Sequence, residues 1–133
     1  MVKTASVLYR IVARLVDLAI VFIAIETLEA AGLFASVLYI LIADGLSDGR
    51  SIGKRLLELK TVTTEHKNAK IKESILRNID IAIGVLLWSI PYLGWLIMLA
   101  ILAVEFIVLM GNEQKRRIGD IIAGTMVIYT GKE

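Results

Sequence analysis

From Ile81 to Val104 the chain runs without one charged residue (IAIGVLLWSIPYLGWLIMLAILAV). A stretch of this length exceeds the roughly 18–20 apolar residues that mark a membrane span. An earlier stretch, Leu15 to Ala43, is interrupted only by Asp17, Glu26 and Glu29. A chain of 133 residues, 57% of them hydrophobic, has too little polar surface to cover two such segments in water. The sequence therefore predicts an integral membrane protein, folded as a single domain over 1–133. The N-terminal apolar stretch superficially resembles a signal sequence, but it carries Asp17 inside and has no convincing small-residue cleavage site, so a retained helix is expected. With no cysteine, disulfides and thiolate metal sites are excluded.

Charge placement sets the number of crossings. Lysine and arginine fall in three blocks: Lys3 to Arg14 before the first apolar run, Arg50 to Arg77 between the runs, and Lys115 to Lys132 after the second. If each run crossed once, the most basic block would face the opposite side from both ends. If each run is a hairpin, all three blocks lie on one side, which the positive-inside rule makes cytoplasmic. The hairpin reading predicts four short transmembrane helices, near 6–29, 33–45, 71–90 and 93–111, with both termini cytoplasmic, in the cell's plasma (inner) membrane. ETLEAAG (from Glu26) and IPYLGW (from Ile90) are the outer turns. Trp88, Tyr92 and Trp95 suit an interfacial belt.

The chain also repeats itself. RLVDLAI, from Arg14, aligns with RNIDIAI, from Arg77, and RSIGKRLLELKTVT, from Arg50, aligns with RRIGDIIAGTMVIY, from Arg116. Two tandem hairpin repeats, about 6–64 and 71–130, would be related by a parallel pseudo-twofold along the membrane normal. The fold class expected is an all-α membrane protein with one addition: the β-prone tails LKTVTT and TMVIYT pair as a small cytoplasmic two-stranded ribbon.

The charges on and beside the helices are the candidate functional groups. Arg10, Arg14 and Asp17 share a helical face. Asp17 has two open roles: an ion-pair partner for Arg14 or a neighbouring helix's base, or a cation or proton site, since buried membrane carboxylates often line transport paths. Asp44 and Glu105 lie at similar depth and could bind a cation or share a proton, or be neutralised by Arg14 and Arg77. Arg77 and Asp80 repeat the Arg14 and Asp17 pattern. Lys54 and Asp120 occupy equivalent places and are placed to pair across the pseudo-twofold, with Arg117 beside Asp120. Gly45, Gly49 and Gly53 have membrane-packing spacing, but their charged setting favours a turn. His66 is a solvated loop residue with no second metal ligand at useful spacing. No nucleophile, phosphate-loop or metalloprotease motif is visible, so neither an enzyme nor a cofactor or metal is expected. The basic face is suited to anionic lipid headgroups rather than to nucleic acid.

These motifs resemble the RDD family of small membrane proteins, over nearly the whole chain. RIVARLVD, from Arg10, is similar to the family's first motif, placing its arginine on Arg10, whereas the internal repeat picks out Arg14. GRSIGKRLLELKTV, from Gly49, resembles the family's G-x-T-x-G-K-R segment. RRIGDIIAGTMVI, from Arg116, resembles its ending, placing the second aspartate on Asp120. The resemblance implies transport of unidentified ligands, with sodium/proton antiport proposed for some members. Three functions are therefore expected to compete: a carrier exchanging a monovalent cation for protons through Asp17, Asp44 and Glu105; a non-catalytic scaffold or assembly module whose Arg/Asp network is structural; and a lipid-binding protein. Four short helices leave little room for alternating access in one copy, so a homo-oligomer is expected.

Overall fold

In the computed structural model, residues 3–131 are described; Lys132 of the last basic block lies outside them. The chain forms helix α1 (Val7–Leu46), a short helix α2 (Ile52–Leu56), strand β1 (Leu59–Thr63), helices α3 (Ile71–Leu87) and α4 (Leu93–Gly111), a short helix α5 (Ile118–Ala123) and strand β2 (Thr125–Tyr129).

Helix α1 is not straight. Its backbone leaves helical geometry at Glu29 (φ 52°, ψ −127°), which folds it into two limbs, 7–28 and 30–46. The limbs run antiparallel: Gly32 packs on the Ala24 carbonyl, Ser36 Oγ donates to the Val21 carbonyl at 3.3 Å, and Tyr39 reaches Asp17. The second expected helix thus continues directly from the first through a single residue, rather than starting at Leu33. Helices α3 and α4 form a second antiparallel pair, with Gly94 against the Leu87 carbonyl and Gly84 against Met98. Here the expected helix ends at Leu87 rather than Ile90, because Pro91 and the positive φ of Tyr92 (63°) take up a turn. Trp88, Tyr92 and Trp95 cluster at that turn, with ring centroids 5.4–6.0 Å apart.

The polarity of the bundle is inverted relative to a water-soluble fold. Arg77 is the largest fully buried side chain, and Asp17, Asp44, Asn78, Glu105 and Asp120 are buried with it. Leu8, Leu15, Phe34, Leu96, Leu99 and Ile107 point outward. Large apolar side chains spread over the outside and charges held inside are what a lipid solvent selects. A smaller apolar core (Val21, Ile40, Ile81, Val85, Met98) fills the bundle beyond the charges. Among the described residues, α4 alone is by itself long and apolar enough to cross a membrane. The first limb of α1 buries Arg10 and Asp17, the second buries Asp44, and α3, of 17 residues, buries Arg77, while α4 buries the single charge of Glu105.

The two tails pair antiparallel, Leu59 with Tyr129, Thr61 with Val127 and Thr63 with Thr125, and Thr4 bridges Ile128 at the ribbon's edge. Leu59, Thr61, Thr125 and Val127 are buried against the bundle end. The unexpected elements are the short helices α2 and α5, which dock into that end. Gly53 sits on the Ala13 carbonyl and Gly119 on the Arg77 carbonyl, so close that a Cβ at either place would strike backbone. Each glycine is there because only a hydrogen fits the approach.

Candidate functional site: a charge network beside a lateral cleft

Helical spacing brings the charges together. The first limb of α1 buries Arg10, Ala13, Asp17 and Val21; the second buries Gly32, Ser36, Ile40 and Asp44; α3 buries Ser74, Arg77, Asn78 and Ile81; α4 buries Gly94, Met98, Glu105 and Leu109. These stripes face one another, and α2 and α5 close the end with Lys54 and Asp120 at the third position of each short helix.

Arg77 is the centre. Its Nη1 lies 3.0 Å from Asp44 Oδ2 and also donates to Thr61 Oγ1, while its Nη2 lies 2.5 Å from Asp120 Oδ1. Asp120 takes a second guanidinium, Arg10 Nη2, at 2.5 Å and accepts from the Arg117 backbone N–H at 3.3 Å. Lys54 Nζ donates to Asp44 Oδ2 at 2.6 Å and to Thr61 Oγ1 at 3.0 Å. Burial alone would raise the Asp120 carboxyl, but the guanidiniums of Arg77, Arg10 and Arg117 outweigh it and hold it well below the usual carboxylate range. Burial, reinforced by Arg77, pushes the Lys54 ammonium down to about 7 against the pull of Asp44.

The expected Lys54–Asp120 pair does not form. Arg77 stands between the two acidic groups, so Asp120 is satisfied by Arg77 and Arg10, and Lys54 turns to Asp44. Nor, among the described residues, does Asp17 pair with a basic one. It accepts from Tyr39 Oη (2.8 Å), Ser51 Oγ (2.6 Å) and the Gly53 N–H (2.9 Å), tying the first limb of α1 to the second and to α2. Of the two candidate arginines, Arg10 joins Asp120, whereas Arg14, among the described residues, donates to Asn78 Oδ1 alone, at 3.1 Å. Asp80 is not a second Asp17: it is half-buried, accepts from the next backbone N–H, and faces Glu105.

Glu105 differs from the other acids. Among the described residues, neither of its buried carboxyl oxygens has a hydrogen-bond donor, and the nearest cation, Arg117 Nη1, is 3.9 Å away. It lines a cavity of about 290 Å³ together with Arg10, Arg14, Asp17, Lys54 and Arg117. Helix α3 packs on both α1 and α4, but α1 and α4 make little direct contact, so the cavity is a cleft between them. Its walls are Leu15 and Leu18 from α1 and Leu102, Phe106 and Leu109 from α4.

Four network members escape a reading that follows charge alone: Tyr39, Ser51, Thr61 and Asn78. Asn78 lies on the Ser74, Arg77, Ile81 face, a spacing that could have shown it. Ser51 caps α2, accepting from the Lys54 N–H at 3.4 Å, but α2 itself is too short to show a helical period.

The chain matches the RDD family over residues 25–124. Comparison with curated proteins and with solved structures yields no match. The matched segment contains Asp44, Lys54, Arg77, Glu105 and Asp120 and begins after Arg10 and Asp17.

Proposed function

The chain belongs to the RDD family, and from that membership and the cleft we propose that it is a proton-linked membrane carrier that works through Glu105. One observation carries this reading. Of the three carboxylates expected to serve transport, Asp17 is held by three neutral donors and Asp44 by Lys54 and Arg77, while Glu105 lines the cleft with no donor on either oxygen. Asp80 faces it from α3, so the neighbour on that side is another acid and not a base. An intramembrane ionisable group without a fixed partner is the kind that relays protons.

The remaining network has a different role. Arg10, Arg77, Lys54, Asp44 and Asp120 form a structural knot that fixes the two helix pairs and the ribbon in one arrangement. The carrier spans the membrane with four short helices as two tandem hairpins, the two limbs of α1 and the α3–α4 pair. The ribbon, the short helices and both termini lie on the cytoplasmic side of the plasma membrane. The matched docking of Gly53 and Gly119 on helix carbonyls supports the repeat. A second copy in a homo-oligomer would complete the wall that a single four-helix unit leaves open.

Reconstitution tests this. In liposomes of anionic lipid, with sodium, potassium and a monocarboxylate each offered in turn as the ion moved with or against the proton, an imposed pH gradient collapses faster with the protein than without it in at least one case. Glu105→Gln removes the acceleration while Tm stays near wild type. Equal rates for Glu105→Gln and wild type would contradict the reading.

A further inference from the structure

Arg14 and Arg117 stand at the inner end of the cleft. Among the described residues, neither guanidinium has a carboxylate within hydrogen-bond distance; Glu105 and Asp120 are both 3.9 Å from Arg117. Both guanidiniums donate instead to one neutral atom, Asn78 Oδ1, at 3.1 and 2.6 Å. Arg117 adds a bond to the Arg77 carbonyl at 3.0 Å. Two cations sharing a carboxamide oxygen in a low-dielectric site leave positive charge without a full counter-ion. Consistent with that, burial and the charge of Arg14 push Arg117 down to about 10.

The rest of the cleft is apolar and opens sideways between α1 and α4, where Leu15 and Phe106 are exposed. At about 290 Å³ it falls at the small end of the roughly 300–1,000 Å³ of ligand pockets. It is suited to one acyl chain, with the excess running out through the open side. A cationic inner end and a single apolar channel are complementary to one chemical class.

We propose that the cleft binds a single-chain anionic amphiphile, its headgroup bridging Arg14 and Arg117 and its chain lying between α1 and α4. The proposal rests on the cleft being the carrier's site, and it names the cargo. It also couples that cargo to the proton. Glu105 faces Arg117 and Asp120 from the α5 side and Asp80 and Arg77 from α3, with Arg10, Arg14 and Asp17 of α1 and Lys54 of α2 elsewhere in the cleft lining. Ionised, Glu105 competes with the headgroup for Arg117. Protonated, it does not, so proton and anion bind together and affinity rises as pH falls.

Equilibrium binding to the full chain in nanodiscs of zwitterionic lipid tests this, with laurate and lysophosphatidate as anionic probes and lysophosphatidylcholine as the zwitterionic one. At least one anionic probe binds one per chain and at least ~10-fold more tightly than the zwitterion. Tighter laurate binding identifies a free carboxylate as the natural cargo, and tighter lysophosphatidate binding a phosphate headgroup; either supports the proposal. Arg14→Gln weakens binding about tenfold. Leu15→Trp blocks the mouth without touching the network and serves if Arg14→Gln does not fold. Glu105→Gln loses the rise in affinity on acidification that wild type shows, leaving only the pH dependence that comes from Lys54 and from the probe's own headgroup. Equal binding of all three probes, or anion binding indifferent to both Arg14→Gln and Leu15→Trp, overturns the proposal. Anion binding by a protein that collapses no pH gradient would leave this proposal standing and remove the carrier reading. Gradient collapse without anion binding would do the reverse.

Discussion

Arg77 Nη2 stands 2.5 Å from Asp120 Oδ1, and both side chains are shut off from solvent. The pair joins the second helix hairpin to the short helix that closes the bundle's end. A buried pair of this kind adds little over a well-packed apolar substitute, but removing one partner strands the other. Asp120→Asn leaves Arg10 and Arg77 short of a counter-ion and is expected to cost ~3–5 kcal/mol. Unfolding in detergent, followed by circular dichroism, reads this as a large fall in Tm. Arg77→Met combined with Asp120→Leu should recover part of the loss.

Asp17 is held differently, and its substitution should be milder. Asn in its place keeps a carbonyl oxygen for Tyr39 and the Gly53 N–H and can donate to Ser51. Asp17→Asn is expected to cost ~1–3 kcal/mol, and Ser51→Ala ~1 kcal/mol. A fall in Tm as large as that of Asp120→Asn would show that Asp17 balances a charge rather than accepting neutral hydrogen bonds.

Gly53→Ala and Gly119→Ala should each lift a short helix off the bundle. The added methyl meets the backbone carbonyl of Ala13 or of Arg77, neither of which can turn aside. A cost of ~1–3 kcal/mol or more is expected, with faster amide exchange across α2 or α5 as the local signature.

Stability should respond to pH at both ends of the range. Lys54 falls from its ordinary 10.5 to about 7 in the fold, so the unfolded chain binds more protons between those values. Stability therefore rises with pH across that window, and the penalty is fully present below about 7. Asp120 has the opposite character. Its folded value lies below the ordinary 3.8, so its contribution is complete above that value and is lost as pH falls through the acid range. Melting as a function of pH checks both, and Lys54→Met should flatten the neutral-to-alkaline rise.

Much of this arrangement was legible from composition and period. The uncharged run from Ile81, the three basic blocks and the threonine- and valine-rich tails lead to two hairpins and a ribbon, because apolar length and β-propensity are local properties. The partners of the charges were not legible. Which acid Arg77 takes depends on how α5 docks, and that depends on the approach of Gly119 to a carbonyl forty-two residues earlier in the chain. A one-residue phase difference separates Asp80, half-buried beside Glu105, from a true counterpart of Asp17. Short motif alignment cannot see such a difference, whereas packing decides it. Neutral donors such as Tyr39 and Thr61 carry no charge signal, and the network depends on them as much as on its ions.

The most direct measurement is infrared difference spectroscopy of the purified protein across a pH titration, comparing wild type with Glu105→Gln and Asp17→Asn. The expected result is a carboxylic-acid C=O band that titrates in wild type and Asp17→Asn and is missing in Glu105→Gln. A band that survives Glu105→Gln unchanged, or that vanishes only in Asp17→Asn, would contradict Glu105 as the proton-carrying residue.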